Sequence, residues 1–292
     1  MGWKTYYIAQ KSKLSYKENH VIVQQLVETK SLPFNQIGCL VLASTQIVIT
    51  GYLVSKLAEA NIRVIFCDTD RNPCAELCTY YTNEKRNQNI DTQISWSITQ
   101  KERLWTQIVT NKIENQINIL QQNTLDISGV NKELEEIKEN DRTNREAAVA
   151  RKYFPLLFGS NFSRGKKEEK INIMLNYGYT VMLSAANQIV SSQGYLTQLG
   201  IHHHSLKNDF NLSCDFIEPF RQFIDIKVIE LKDQDFDEHI KKELIQVMDQ
   251  TVHYDGKDYI LSNAMDQYIR DCFKFLDLKK DSIGKVGFIN EA

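Results

Sequence analysis

The sequence predicts an α+β protein, with a β-rich N-terminal domain followed by an all-α C-terminal domain. Three observations carry that reading. Up to about residue 80 the chain is broken into short runs of aromatic and β-branched residues separated by polar turns, the composition of strands. Beyond about residue 90, apolar residues recur at helical spacing over long stretches. Asp255-Gly256, set between two β-prone arms, then places a hairpin at 251–261 among those helices.

Taken in order, Trp3 to Ala9 reads as a first strand. Leu14–Tyr16 and Val21–Val23 flank Lys17-Glu-Asn-His20 and form a hairpin, and Ile37 to Leu42 is a near-continuous buried strand. Thr50 to Ala60 turns helical, with Leu53, Leu57 and Ala60 on one face, and Ile62 to Cys67 returns as a buried strand before a polar turn at 68–73. Residues 87–95 are polar and lack apolar periodicity, which makes them the linker between a domain at 1–86 and one at 96–292. Trp96 to Leu120 follows as a long helix on Ile98, Leu104, Trp105, Ile108, Ile113 and Ile117. Asp126 to Asn140 makes a weaker, charged helix. Thr143-Asn-Arg-Glu146 matches a capping box and opens a helix to Phe158, which Pro155 should kink. Ile171 to Val190 is a strongly apolar helix, and Ser262 to Leu276 closes the series.

Composition narrows the classes. With 42% hydrophobic and 25% charged residues and no apolar run near the ~20 residues of a membrane span, the chain reads as a folded protein outside the membrane. Nothing after Met1-Gly2-Trp3 reads as a secretory or myristoylation signal. The six cysteines never form a C-x-x-C pair and read as reduced core residues, Cys74 and Cys78 being too isolated for a zinc site. A net charge of −2 argues against nucleic acid until it is mapped. Between Asp141 and Lys170, eight basic residues stand against four acidic ones, whereas from Asp225 to Asp258 ten acidic residues outnumber five basic ones. A chain polarised in this way retains room for a basic groove.

The chemistry-bearing residues cluster late. Asp215 and Glu218, three apart, share one face of any helix and come within reach of a common ion. Pro219 withholds an amide hydrogen from the Asp215 carbonyl and should break the helix there. The plainer alternative is a solvated helix start capped by Ser213. Glu146 lies in line with Ala150, Tyr153 and Leu157 at +4, +7 and +11, so its carboxylate faces apolar, buried surroundings and needs a partner. Arg145 and Lys152 form a separate basic face on the same helix. Glu146, a histidine from 202–204, and Glu218 with Asp215 make an oxygen and nitrogen donor set suited to magnesium or manganese. No phosphate-binding glycine loop and no nucleophile elbow is present.

The run of Gly2-Trp3-Lys-Thr, Ser12-Lys-Leu-Ser-Tyr16, Val64-Ile-Phe-Cys-Asp68, Asn144-Arg-Glu146, Ala150-Arg151-x-Tyr153-Phe154, Leu175-Asn-Tyr-Gly-Tyr179, Gly200-x-x-His203 and Asp215-x-x-Glu218-Pro-Phe-Arg221 resembles, almost end to end, the integrase family of CRISPR spacer acquisition in its type II-A form. The resemblance implies that the N-terminal domain dimerises and the helical domain is catalytic. It implies metal ligands at Glu146, His203 and Glu218, with Asp215 a nearby additional acid. It further implies a cytoplasmic prokaryotic homodimer that joins a small dimeric bridging CRISPR-associated protein on double-stranded DNA, beside the RNA-guided nuclease of the same locus. The implied reaction joins the 3′-hydroxyl ends of a short duplex to the leader-repeat by transesterification. Arg145, Arg151, Lys152, Arg164, Lys166 and Lys167 are the residues expected to hold the DNA backbone. Two alternatives use the same residues differently: a metal-dependent hydrolytic DNA endonuclease, and a non-catalytic DNA-binding scaffold whose acids merely cap helices.

Overall fold

The structure, a computed structural model, describes residues 4–79 and 83–289; Trp3, at the head of the first expected strand, lies outside them. The N-terminal part runs β1 (Lys4–Ile8), β2 (Ser12–Lys17), β3 (His20–Gln24), β4 (Thr29–Pro33), β5 (Ile37–Leu42), β6 (Ile47–Ile49), α1 (Gly51–Glu59), β7 (Arg63–Cys67) and β8 (Pro73–Glu76). These strands form two four-stranded sheets, ordered β1-β5-β7-β8 and β4-β3-β2-β6. In the first, β1, β5 and β7 run parallel and β8 antiparallel at the edge. The second is the expected hairpin extended by β4 on one side and a parallel β6 on the other.

The first sheet explains why its strands read as unbroken apolar runs. Side chains alternate across a strand, and here each face meets its own core. Leu40, Leu42 and Val64 point inward with Leu14, Val21, Val23 and, from α1, Leu53 and Leu57. Cys39, Val41, Ile65 and Cys67 point the other way and join the core of the helical part. One sheet is thus a shared wall between two cores. Of the six cysteines, all unpaired, only Cys39, Cys67 and Cys272 are buried; Cys74 and Cys78 are exposed, contrary to their reading as core residues.

The helical part comprises α2 (Arg86–Ser95), α3 (Ile98–Gln122), α4 (Ser128–Glu135), α5 (Arg145–Phe158), α6 (Lys170–Ser192), α7 (Asn211–Ile217), α8 (Arg221–Leu231), α9 (Glu238–Gln246), the hairpin β9 (Thr251–Tyr254) and β10 (Lys257–Ile260), α10 (Leu261–Leu276) and the two-residue β11 (Val286–Gly287), which pairs with β9. The segment read as a linker is helix α2, and it is not an open connection. Gln93 is buried and its amide group exchanges hydrogen bonds with the backbone of Leu196 and Leu199, while Asn89 donates to the carbonyl of Gln193. Asn89 and Gln93 are polar residues that serve a loop about a hundred positions away. Ser97, not Trp96, starts α3, its hydroxyl accepting from the amide of Gln100. Ile98 is left exposed at that end.

Three helices are clamped by one carboxylate. Asp225 of α8 is buried and accepts hydrogen bonds from the hydroxyls of Tyr153 on α5, at 2.9 Å, and Tyr179 on α6. Gly178 lets α6 approach α8 closely, because a Cβ there would stand 2.5 Å from Cγ2 of Ile224. Burial pushes the Asp225 carboxyl up to about 6, against the tyrosine bonds that favour its ionised form. Its folded value lies above its unfolded value of 3.8, so the folded state holds a proton that the unfolded chain has lost between those limits. The stability this contributes is fully present below about pH 4 and is lost as pH rises through about 6. Urea unfolding of wild type and Asp225→Asn at pH 4 and pH 7 should show wild type losing roughly 2–3 kcal/mol relative to the variant on going to neutral pH. An equal dependence in both proteins would contradict the burial of an acid at this clamp.

Candidate active site

α3 is the axis on which the site is hung. Trp105, Ile108, Val109 and Ile113 make its buried stripe, and Lys112 falls in that stripe, four residues beyond Ile108 and seven beyond Trp105. Its ammonium lies 2.5 Å from Oε1 of Glu146 and 2.6 Å from Oε2 of Glu218. Two carboxylates from distant parts of the chain therefore close on one nitrogen. Burial would lower the Lys112 pKa, but Glu218 and Glu146 outweigh it and hold the ammonium above lysine's ordinary range. Sequence reasoning missed Lys112; the signal was a lysine placed in phase with an otherwise apolar stripe.

Glu146 reaches this point because it has no capping duty. Asn144 takes the left-handed conformation, φ 53°, so Thr143 cannot cap α5, and the expected capping box does not form. Asp141, buried in the preceding turn, accepts instead from the amides of Arg145 (2.7 Å) and Glu146 (3.0 Å), placing an acid at the positive end of the helix. The Glu146 side chain is then free to turn inward.

Glu218 is set by the proline after it. α7 ends at Ile217 and Glu218–Phe220 form a 3₁₀ turn, the break that Pro219 imposes, after which α8 begins. Asn115, also on α3, donates to the Pro219 carbonyl and fixes the turn against the axis helix. Arg221 binds the other oxygen of Glu218 at 2.9 Å and lies over the ring of Tyr179. Burial alone would raise the Glu218 carboxyl; Arg221 and Lys112 reverse that and hold it below the usual range.

Asp215 and Glu218 face different partners. Its buried carboxylate accepts from the amides of Ile201, His202 and His203 and from Nδ1 of His203, at 2.7, 3.1, 3.1 and 2.6 Å. Four bonds use its acceptor capacity. Ser213 does not cap α7, which begins at Asn211, and its hydroxyl is buried without a partner among the described residues. Gly200 permits the tight turn around Asp215, since a Cβ there would stand 2.3 Å from the His203 carbonyl oxygen.

The three histidines are thereby sorted. His203 presents Nδ1 to Asp215, so that nitrogen carries the proton and Nε2 remains available. The Asp215 bond pushes its pKa up. His202 stacks on Trp105 with centroids 4.1 Å apart and planes 4° from parallel, and burial pushes its pKa down. His204 is exposed.

Among the described residues, no three His, Cys, Asp or Glu side chains are grouped so as to form a ready metal site. The donors nevertheless fit a hard divalent cation. Two carboxylate oxygens already converge on one positive centre, and the third donor is an imidazole oriented by a carboxylate, the usual support of a ligating histidine.

The six basic residues expected on DNA divide. Arg145 is bonded to Glu133 and Glu136, and Lys152 to Glu133 and the Gly129 carbonyl, so the basic face of α5 is neutralised by α4. Arg164 binds Asn172 and Asn176 and packs over Phe154 and Tyr179. Lys166 pairs with Glu169. Arg151 and Lys167 are exposed and take part in none of the ion pairs among the described residues.

Comparison with known proteins gives a consistent picture. The family profile described as "CRISPR associated protein Cas1" matches residues 6–246. The CRISPR-associated endonuclease Cas1 of Neisseria meningitidis serogroup C (strain 8013) is 30% identical over 276 residues, covering 92% of this chain and 90% of the relative. Among solved structures, a casposase bound to its integration product superposes with a TM-score of 0.74 at 18% identity, covering 97% of this chain and 92% of the other. A chain of a Cas6-RT-Cas1–Cas2 complex gives 0.71 at 18% identity, covering 99% of this chain and 36% of that one.

If Asp215 sets the state of His203, replacing it with asparagine should lower the His203 pKa while leaving that of His202 below the ordinary value. NMR titration of the ring protons in wild type and Asp215→Asn measures this directly. An unmoved His203 would show that the contact does not control the ring.

Proposed function

This chain belongs to the Cas1 family of CRISPR-associated proteins, and from that premise we propose that it is a metal-dependent DNA integrase of CRISPR adaptation. The observation that carries the reading is the convergence of Glu146 and Glu218 on one cationic position beside a histidine whose ring is fixed by Asp215. The carboxylates of Glu146 and Glu218 face Lys112 and not the amides of a helix end, which speaks against a scaffold whose acids only cap helices.

The reaction is an exchange of phosphodiesters. The 3′-hydroxyl of an incoming strand gives up its proton to solvent as its oxygen bonds to a target phosphorus, the bond from that phosphorus to the target's own 3′-oxygen breaks, and the departing oxygen takes up a proton. Glu146, Glu218 and Nε2 of His203 are the groups that would hold magnesium or manganese, which when bound polarises the attacking hydroxyl and offsets charge on the phosphoryl oxygens. Arg221 keeps the Glu218 carboxylate from rotating by holding its second oxygen. Asp215 keeps the imidazole in one tautomer and leaves its second nitrogen unprotonated for a ligand. Arg151 and Lys167, unpaired among the described residues, are the best placed of the basic set to meet a phosphate backbone.

A second reading uses the same groups with water as nucleophile, and the name of the Neisseria relative, an endonuclease, favours keeping it. For partners we propose a second copy of this chain, packed through the N-terminal strands, and a Cas2-type protein, a pairing supported by the complex in which a structural neighbour occurs.

With a labelled short duplex, a repeat-bearing plasmid and the bridging protein, Glu146→Gln and Glu218→Gln should each reduce strand joining by about a hundredfold or more while changing DNA affinity, measured without divalent metal, less than about threefold. His203→Ala should behave likewise, and His204→Ala should retain activity. Joined strands identify the integrase and nicked plasmid alone the hydrolase. Near-normal joining by either glutamine variant would overturn the site.

A further inference from the structure

Lys112 has no role in the reaction just described, yet it occupies the centre of the site. A buried lysine is costly unless paired, and this one is paired twice, its side chain only 10% exposed. The local charges already balance: Glu146 and Glu218 face Lys112 and Arg221. Adding a divalent ion to that balanced set leaves two surplus positive charges in a place poor in water, and the position between the carboxylates is filled by the ammonium. One turn further along α3, Gln116 is buried on the same face with its side-chain oxygen unpartnered among the described residues, an acceptor waiting for a donor.

We propose that Lys112 is the site's resident cation: it holds Glu146 and Glu218 together in the metal-free protein, and a divalent ion binds by displacing it toward Gln116. This deepens the reading of Glu146, His203 and Glu218 as metal ligands and rests on it. Two properties follow. Monovalent ions do not compete, since exchanging one single charge for another gains nothing and forfeits two charge-assisted hydrogen bonds. Metal binding is also coupled to DNA, because a phosphate brought into the site supplies the negative charge that the displaced ammonium and the incoming ion together require. By linkage, DNA then tightens metal binding as much as metal tightens DNA binding.

The test is a titration with Mn2+ alone, followed by the electron paramagnetic resonance signal of the free ion, on the full-length wild type, Lys112→Met and Glu218→Gln. Lys112→Met should bind Mn2+ at least about tenfold more tightly than wild type, since no ammonium must be displaced. A duplex should tighten binding in wild type and much less in the variant. Without metal Lys112→Met should melt lower than wild type, and Mn2+ should raise its melting temperature by more than it raises that of wild type. If Lys112→Met does not fold without metal, folding is followed by circular dichroism as Mn2+ is added. Recovery supports the proposal, and failure to recover at saturating Mn2+ overturns it. Equal or weaker Mn2+ binding by Lys112→Met, with wild-type binding still dependent on Glu218, overturns the role of Lys112 alone. Wild-type binding that is absent, or indifferent to Glu218→Gln, overturns the metal-site reading and this proposal with it.

Discussion

A buried carboxylate and a half-buried one held side by side repel each other unless a cation lies between them, and much of the architecture around Glu218 and Glu146 answers that constraint. Their positions are set by separate devices. Asp141 relieves Glu146 of any capping role, so that it turns in. Pro219 breaks the helix at Glu218 and Asn115 pins the resulting turn. Between them the Lys112 ammonium meets both at hydrogen-bonding distance. Removing one member of such a set strands the others, which is why buried ionic groups cost far more to break than they contribute.

The supports form a second layer with a different logic. Asp215 organises the loop at 201–203, and through Nδ1 of His203 it decides which ring nitrogen is left free. Asp225 joins α5, α6 and α8 through two tyrosines, and Tyr179 also lies beneath Arg221, the partner of Glu218. The helical core is braced in turn by the shared sheet, whose outer face, with Val41 and Ile65, belongs to that core. The bonds from Asn115 and Arg221 restrict Glu218 and its turn, and the bond to Asp215 restricts the ring of His203, as the proposed reaction requires of groups fixed before charge develops.

Much of this was legible in the sequence wherever a local rule met no competitor. Strands β5 and β7 were found because both faces are buried and the apolar run is unbroken, and the hairpin β9–β10 because Asp255-Gly256 supplies its turn. β4 and β6 were missed: β4 is a largely exposed edge bearing Lys30 and Pro33, and β6 is three residues long. The capping box at Thr143 failed because Asn144 adopts a left-handed backbone that a spacing pattern cannot reveal. Residues 87–95 looked like a linker because their hydrogen-bond partners lie about a hundred positions away. Glu146, Glu218 and Asp215 were recognisable as acids in need of partners, but the partners came from another helix and another loop. The spacing of Asp215 and Glu218 suggested a shared ion, whereas Asp215 faces the loop amides. The basic face on α5 was visible, and its neutralisation by Glu133 was not.

In the proposed arrangement Glu146, Glu218 and His203 surround one cation position that Lys112 fills in the absence of metal. Anomalous diffraction from crystals soaked in Mn2+ tests it most directly. The account predicts a single strong peak bonded to Glu146, Glu218 and Nε2 of His203, with the Lys112 side chain moved off the two carboxylates and Asp215 still on the loop amides. A peak bonded to Asp215, or a manganese ion elsewhere with Lys112 still bridging Glu146 and Glu218, would contradict it.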